Sequence, residues 1–125
     1  HVLAIAEGGT VLSFGAGANG RLGHGDTDNR YSPHPISGPL ATRRAIGITA
    51  GFYCSLVVCT GGELYAFGTG SMGRLGLGDE QDRWVPTRVE ALAAERVVSV
   101  SSGSSHTFVA TATGACYAFG NGAYG

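Results

Sequence analysis

The 125-residue chain contains no lysine, one methionine and one tryptophan. All eight of its basic residues are arginine, so this segment cannot supply a Schiff-base lysine or a phosphate-loop lysine. Charged residues make up only 14% of the chain, and the formal net charge is −1, so there is no positive field to attract nucleic acid or an anionic membrane. No apolar run approaches the ~20 residues of a membrane-spanning helix. We therefore expect the segment to bind neither nucleic acid nor membrane.

Cysteine is also scarce. Cys54, Cys59 and Cys116 form an odd set without the spacing of a disulfide framework or a metal-binding pair. A reducing compartment is therefore expected, which places the chain inside the cell, in the cytoplasm or the nucleus.

Glycine is abundant, with 22 residues, and it clusters at repeated positions. The stretch GAGANGRLGHGD at 15–26 returns as GTGSMGRLGLGD at 68–79, and its first half returns as GNGAYG at 120–125. The three stretches start 53 and 52 residues apart, a period that indicates a tandem array. The copies are residues 1–53, 54–105 and 106–125, the third being truncated.

Each copy predicts about four short strands. Apolar runs at 2–6, 55–59 and 107–111 are followed by a glycine-containing turn and return strands at 10–14, 63–67 and 115–119, which is the pattern of a β-hairpin. A proline-containing edge strand and a fourth strand at 46–49 and 98–101 follow. Neither face of the return strands is charged, so both should be buried, with the large face of one copy packed against the small face of the next. The fold class predicted is all-β, built from propeller blades of four short antiparallel strands.

The Gly-rich stretch is interpreted as structural. We expect its residues to form sharp turns, with the aspartates capping backbone N–H groups: Gly15, Gly20, Gly23, Gly25, Asp26, Gly68, Gly73, Gly76, Gly78 and Asp79.

Other interpretations of this stretch lack the required context. The Gly-x-Gly-x-x-Gly spacing also matches a dinucleotide-binding fingerprint, but that site needs a following helix, and RLGHGD or RLGLGD follows here. Asp26 begins like a calcium loop, but Arg30 stands where a further ligand is needed. Zinc binding by Cys54, Cys59 and a histidine is a weaker alternative, since Cys59 falls inside a predicted strand. We expect no cofactor, no metal and no catalytic group.

The candidate partner-binding residues are two cation–aromatic pairs in the polar segments after the Gly-rich stretches: Arg30 with Tyr31, and Arg83 with Trp84. Arginine beside a large aromatic residue is typical of binding hot spots. The alternative is that the aromatic side chains pack on their own blade while the arginines are solvated.

The succession HVLAIAEGGTVLSFGAGANGRLGHGD, a proline and IGITAGFYC resembles the repeat of the regulator of chromosome condensation family. The resemblance covers the whole chain and implies a seven-bladed β-propeller. Kelch repeats, with a similar ~50-residue period, are the alternative. This chain has Arg21 and Arg74 where the family commonly has glutamine. Seven copies would need roughly 360 residues, so we expect this array of about 2.4 copies to be a piece of a longer chain.

The resemblance implies a non-enzymatic scaffold that binds a protein partner, with the remaining blades in the parent chain. Alternatives from the same family are a guanine nucleotide exchange factor for a Ran-type small GTPase and the regulatory propeller of a HECT-type ubiquitin ligase. The family also includes chromatin-binding proteins and the plant UV-B photoreceptor, but a photoreceptor needs a tryptophan cluster, and this chain has Trp84 alone.

Overall fold

Ten strands account for the regular structure in the computed structural model, which describes residues 1–122. The end of the third Gly-rich stretch, residues 123–125, lies outside the described residues. The strands are β1 (Val2–Ile5), β2 (Val11–Gly15), β3 (Arg30–Pro35), β4 (Ala45–Ala50), β5 (Cys54–Cys59), β6 (Leu64–Gly68), β7 (Arg83–Arg88), β8 (Val97–Ser102), β9 (His106–Thr111) and β10 (Cys116–Gly120). The predicted all-β class is therefore confirmed.

The strands form three antiparallel sheets, of order β1-β2-β3, β4-β5-β6-β7 and β8-β9-β10. We call them the first, middle and third sheets. The middle sheet is a complete four-stranded blade, and the others are partial blades. β4 and β8 contact each other, so the first strands of successive blades lie side by side.

Blades and sequence copies are out of phase by one strand. β4 is the last strand of the first copy, 1–53, yet it pairs with β5 at the start of the second copy. Likewise β8 pairs with β9 across the next boundary. A sequence period specifies the length of the unit but not which strand begins it, so pairing alone reveals the offset. Each copy thereby contributes a strand to the following blade.

The hairpin turns depend on glycine. At Gly62 φ is +89°, and a Cβ there would lie 2.7 Å from Arg96 Cα. Both the left-handed backbone and the close approach of the chain therefore exclude a side chain at this position.

Large side chains of one sheet pack on small residues of its neighbour, as predicted. Tyr65 and Phe67 of the middle sheet share one buried cluster with Val11 of the first. On the other face, Phe119 of the third sheet packs against a cluster that includes Ala66. Burying a phenylalanine as completely as Phe67, which is 0% exposed, stabilises a core by about 3–5 kcal/mol relative to alanine.

The expectation that both faces of every return strand are buried holds for β6 and is wrong for β10. All five residues of β6 are buried, whereas Cys116, Tyr117 and Ala118 of β10 are exposed. The middle sheet is covered on both sides, while no described sheet lies beyond the third. Burial of an uncharged strand depends on a neighbour that the strand itself does not supply.

In the first and middle sheets, a proline-containing edge strand is followed by a short helical turn. β3 and β7, which contain Pro33, Pro35 and Pro86, are edge strands, as predicted. A 3-10 turn at Glu90–Leu92 follows β7. Over residues 1–122, no helix is long and apolar enough to span a membrane.

Candidate protein-binding site

Four loops emerge at the same end of the three sheets, which we call the loop face. Two are the Gly-rich loops at 16–29 and 69–82, which join β2 to β3 and β6 to β7. Two are short loops at 51–53 and 103–105, which join the first and second strands of the middle and third sheets. In each Gly-rich loop the flanking residues are ladder partners, Gly15 with Arg30 and Gly68 with Arg83, so the loop leaves and re-enters the sheet at one point.

An aspartate–arginine ion pair closes each Gly-rich loop. Arg30 Nη2 donates to Asp26 Oδ2 at 2.8 Å, while Asp26 Oδ1 accepts from the N–H of Asp28 at 3.0 Å. Asp79 repeats the arrangement with Arg83 at 2.8 Å and the N–H of Gln81 at 3.0 Å. The hydrogen bond from arginine lowers the pKa of Asp26, and the same cause lowers that of Asp79. Two of the predicted binding residues, Arg30 and Arg83, therefore direct their charge into their own loops.

Tyr31 and Trp84 occupy equivalent places on the edge strands, but their surroundings differ. Tyr31 is 93% exposed. Trp84 is 49% exposed, and it lies so close to Gly20 of the preceding blade that a Cβ on Gly20 would be 2.5 Å from Trp84 Cα. The carbonyl of Trp84 also accepts from the N–H of Gly25 at 2.9 Å. The two pairs thus lie on different sheets, and Trp84 is partly an inter-blade contact.

Arg21 and Arg74 tie each Gly-rich loop to the next blade. Arg21 Nη1 donates to the carbonyl of Phe52 at 3.0 Å, and Arg74 Nη1 donates to the carbonyl of Ser104. Arg74 is buried, at 5% exposure. The sequence marks these arginines only as departures from the family pattern, because nothing local shows that they reach across to another copy.

His1 also contributes to this seam. The hydroxyl of Ser55 donates to the carbonyl of Arg21 at 2.7 Å, so His1 Nε2, 2.7 Å from the same hydroxyl, donates to it. The imidazole of His1 therefore reaches a side chain of the next blade. Thr107 repeats the hydroxyl contact by donating to the carbonyl of Arg74 at 2.9 Å.

Sequence reasoning also missed Phe52 and Tyr53 in the short loop of the middle sheet, which are 69% and 47% exposed. Their rings meet edge to face, with centroids 6.3 Å apart. The signal that could have found them is the alignment of the copies, in which Ser104 and Ser105 stand where this pair does.

The hydrogen bonds of Ser13 do not suit a serine activated by a histidine. Ser13 and His24 form a 2.9 Å pair, but the hydroxyl donates to the carbonyl of Leu22, so His24 donates its proton to Ser13 and cannot act as its base. Burial and then Arg30 lower the pKa of His24. Burial, assisted by Glu63, raises the pKa of Cys59 to about 11, which disfavours a thiolate. No three His, Cys, Asp or Glu residues within 1–122 are grouped to hold a metal.

Comparison with known families and proteins gives a consistent assignment. The profile of the Regulator of chromosome condensation (RCC1) repeat matches residues 8–58 and 61–110, and a second profile of this repeat matches 97–125. The chain is 39% identical over 130 residues to the human E3 ubiquitin-protein ligase HERC2, covering 100% of this chain and 3% of the ligase. It is 38% identical over 125 residues to the Ultraviolet-B receptor UVR8 of Arabidopsis thaliana, covering 100% of this chain and 28% of the receptor.

Solved structures show the same fold. Human WBSCR16 superposes with a TM-score of 0.88 at 26% identity, over 96% of this chain and 30% of that protein. Yeast RCC1 (Prp20), solved bound to Kap60, superposes with a TM-score of 0.82 at 22% identity, over 94% of this chain and 29% of that protein. The chain spans less than a third of each of these four proteins. Because profiles of this repeat match residues 8–58, 61–110 and 97–125, the chain belongs to the regulator of chromosome condensation repeat family, as a partial array of its propeller blades.

Proposed function

We propose that this segment is a non-enzymatic scaffold that binds a protein partner inside a larger, intracellular regulatory protein. The observation that carries the proposal is that the two Gly-rich loops are closed in the same way while the exposed residue beside each loop differs. Both Gly-rich loops are closed by the same aspartate–arginine ion pair at 2.8 Å, whereas the adjacent exposed position is Tyr31 in one blade and Trp84 in the next. Function is commonly carried by such loop positions on a fixed scaffold.

Within this proposal, Tyr31 and Trp84 provide the contact area, while Arg30 and Arg83 hold the loops beside them. Large aromatic side chains at a half-exposed edge are the residue type that most often dominates protein interfaces. Because Trp84 also contacts Gly20, its replacement affects blade packing as well as binding. Tyr31 is 93% exposed, so it reports on binding alone.

The test places a photo-crosslinking amino acid at position 31 of the parent protein in cells and identifies what it captures. Each captured protein is then purified, and its affinity is measured for the parent and for Tyr31→Ala and Arg83→Ala/Trp84→Ala variants. We expect weaker binding in both variants and an unchanged melting temperature for Tyr31→Ala. Equal affinities in all three proteins would refute a role for this edge.

The 39% identity to HERC2 favours a second placement, as the regulatory propeller of a HECT-type ubiquitin ligase. In that case the catalytic domain lies elsewhere in the parent chain, and this segment contributes binding only. Autoubiquitination by the parent with and without residues 1–125 tests this placement.

A third candidate is nucleotide exchange on a Ran-type small GTPase. It draws on Prp20p of Saccharomyces cerevisiae, which binds Gsp1p and histones, and whose 22% identity with this chain supports the fold alone. A nucleotide-release assay with the parent protein and a Ran-type GTPase decides it.

A further inference from the structure

The short loops at 51–53 and 103–105 can be compared with each other, because their backbone carbonyls accept equivalent hydrogen bonds. The carbonyls of Phe52 and Ser104 each accept from the arginine of the preceding Gly-rich loop. The carbonyl of Tyr53 accepts from the N–H of Thr69 at 2.8 Å, and the carbonyl of Ser105 accepts from the N–H of Asn121 at the same distance. Serine therefore satisfies every backbone requirement of this loop. The two aromatic rings in the middle sheet are not needed to build the blade.

The exposure of these rings is a property of the blade and not of an uncovered end of the array. The middle sheet has a sheet packed against each of its faces. Even so, Phe52 and Tyr53 keep 69% and 47% of their surface accessible. Two adjacent exposed aromatic side chains that the frame does not require indicate an interaction surface.

Two arginines that form no salt bridge within residues 1–122 lie against this pair. The guanidinium carbons of Arg21 and Arg74 are 5.0 and 6.0 Å from the centroid of the Tyr53 ring. The salt bridges among residues 1–122 involve Arg30, Arg43 and Arg83, and none involves Arg21 or Arg74. Both guanidinium groups donate to neutral backbone carbonyls. The charge of Arg74 also acts on Asp82 and helps to lower the pKa of that carboxyl, whereas Arg21 forms no salt bridge with a carboxylate of residues 1–122.

The acidic residues nearby are already engaged. Asp82 accepts from the N–H of Gly70, from the hydroxyl of Thr69 and from the side chain of Asn19. Glu80 accepts from the N–H of Met72 at 2.9 Å. The donors to Asp82 are neutral, so Asp82 keeps its negative charge and offsets part of the charge of Arg74. The charge of Arg21 beside Tyr53 has no such counterpart among the salt bridges of residues 1–122, and it favours a carboxylate brought by another molecule.

We propose that Phe52, Tyr53 and Arg21 form a docking site, the Phe52–Tyr53 patch, for a protein segment that carries a carboxylate beside an apolar side chain. The apolar side chain packs on the rings, and the carboxylate lies over the guanidinium of Arg21. The patch rests on the proposed scaffold function and gives it a second surface, on the loop face and distinct from the Tyr31 position.

The test uses a random peptide library displayed on phage and selected on the chain, followed by affinity measurement on the selected synthetic peptides. The key variant is Phe52→Ser/Tyr53→Ser. It gives the short loop of the middle sheet the two serines found in the short loop of the third sheet, so it should preserve the fold. We expect selected peptides rich in Asp or Glu next to apolar residues. Their affinity should fall by more than about tenfold in the variant, since each lost aromatic anchor costs more than 1 kcal/mol. Tyr31→Ser is the matched control and should leave the affinity unchanged.

Circular dichroism checks that the double variant is folded. If its melting temperature is lower than that of the unsubstituted chain, the single variant Phe52→Ser is used instead. Peptides without acidic residues, or equal affinity for the serine variant, would overturn the patch. So would a dimer seen by sedimentation that the serine variant abolishes, because the occupant would then be a second copy. Peptides lost only in Tyr31→Ser would refute the patch and retain the scaffold. A selection without any binder would count against both.

Discussion

Gly20 and Gly73 occupy the same position in successive Gly-rich loops. Replacing each by alanine separates two reasons why a position needs glycine, namely a left-handed backbone and a close approach of the next blade. Their φ angles are +76° and +72°, so an alanine meets the same backbone strain at both sites. At Gly20 a Cβ would be 2.5 Å from both Cα and Cδ1 of Trp84. At Gly73 a Cβ meets none of the described residues within 4 Å.

The expected costs follow from these distances. The left-handed backbone alone costs an alanine about 1–2 kcal/mol, which is the whole effect expected for Gly73→Ala. In Gly20→Ala the loop must also move away from β7. That adds about 1–3 kcal/mol of overpacking and about 1 kcal/mol for the hydrogen bond from Gly25 to the carbonyl of Trp84. The total for Gly20→Ala is therefore about 3–6 kcal/mol.

Urea unfolding monitored by tryptophan fluorescence is the appropriate assay, because Trp84 is the only tryptophan and lies at the contact in question. Gly20→Ala should shift the unfolding midpoint well below that of Gly73→Ala and alter the native emission of Trp84. Equal unfolding midpoints for the two variants would refute the argument. They would show that the contact with Trp84 does not prevent a side chain at position 20.

Three further predictions concern single side chains. Met72 has φ +62°, a region that asparagine tolerates better, so Met72→Asn should raise the melting temperature by a few degrees, worth about 1 kcal/mol; a lower value in differential scanning calorimetry would contradict this. Partial burial raises the pKa of Asp82, but the hydrogen bonds it accepts outweigh burial and hold that pKa below its ordinary value. The stability that ionised Asp82 adds to the folded chain is therefore complete above its unfolded-state pKa, and it is lost as pH falls through its lower folded-state pKa. Over that pH range, the free energy of unfolding should change less with pH in Asp82→Asn than in the parent chain, as acid-unfolding curves would show. Finally, brief alkylation of the native chain should label exposed Cys116 and spare buried Cys54 and Cys59, as mass spectrometry of the peptides would show; early labelling of Cys59 would conflict with its burial.

Several features of the fold could be predicted because they depend on local chemistry. Period-2 alternation in β6, a turn glycine at Gly62 and the prolines of the edge strands β3 and β7 are all visible in a few consecutive residues. Repetition strengthens such signals, since a pattern found twice at a spacing of about 50 residues indicates an array. The packing of large faces on small ones followed from the same alternation.

The candidate site was less accessible to sequence reasoning. The pairing of arginine with a neighbouring aromatic residue pointed to Arg30 and Arg83, but each of these forms an ion pair with an aspartate four residues earlier. Phe52 does not stand out in the sequence, and Arg21 stands out only as a departure from the family repeat. Their contact is not visible there because the two residues are separated by 31 positions. Their significance depends on which side chains a neighbouring blade leaves exposed.

The sequence by itself determined the all-β class, the repeat length, the hairpins and the glycine turns, because backbone dihedral preferences and strand alternation act over a few residues. Only the tertiary structure decided that each blade takes its first strand from the preceding copy, that Trp84 packs on Gly20, and that two arginines lie against Tyr53. The physical reason is that these contacts join different copies. They arise when sheets stack face to face, and no local rule in the chain encodes which residues then meet.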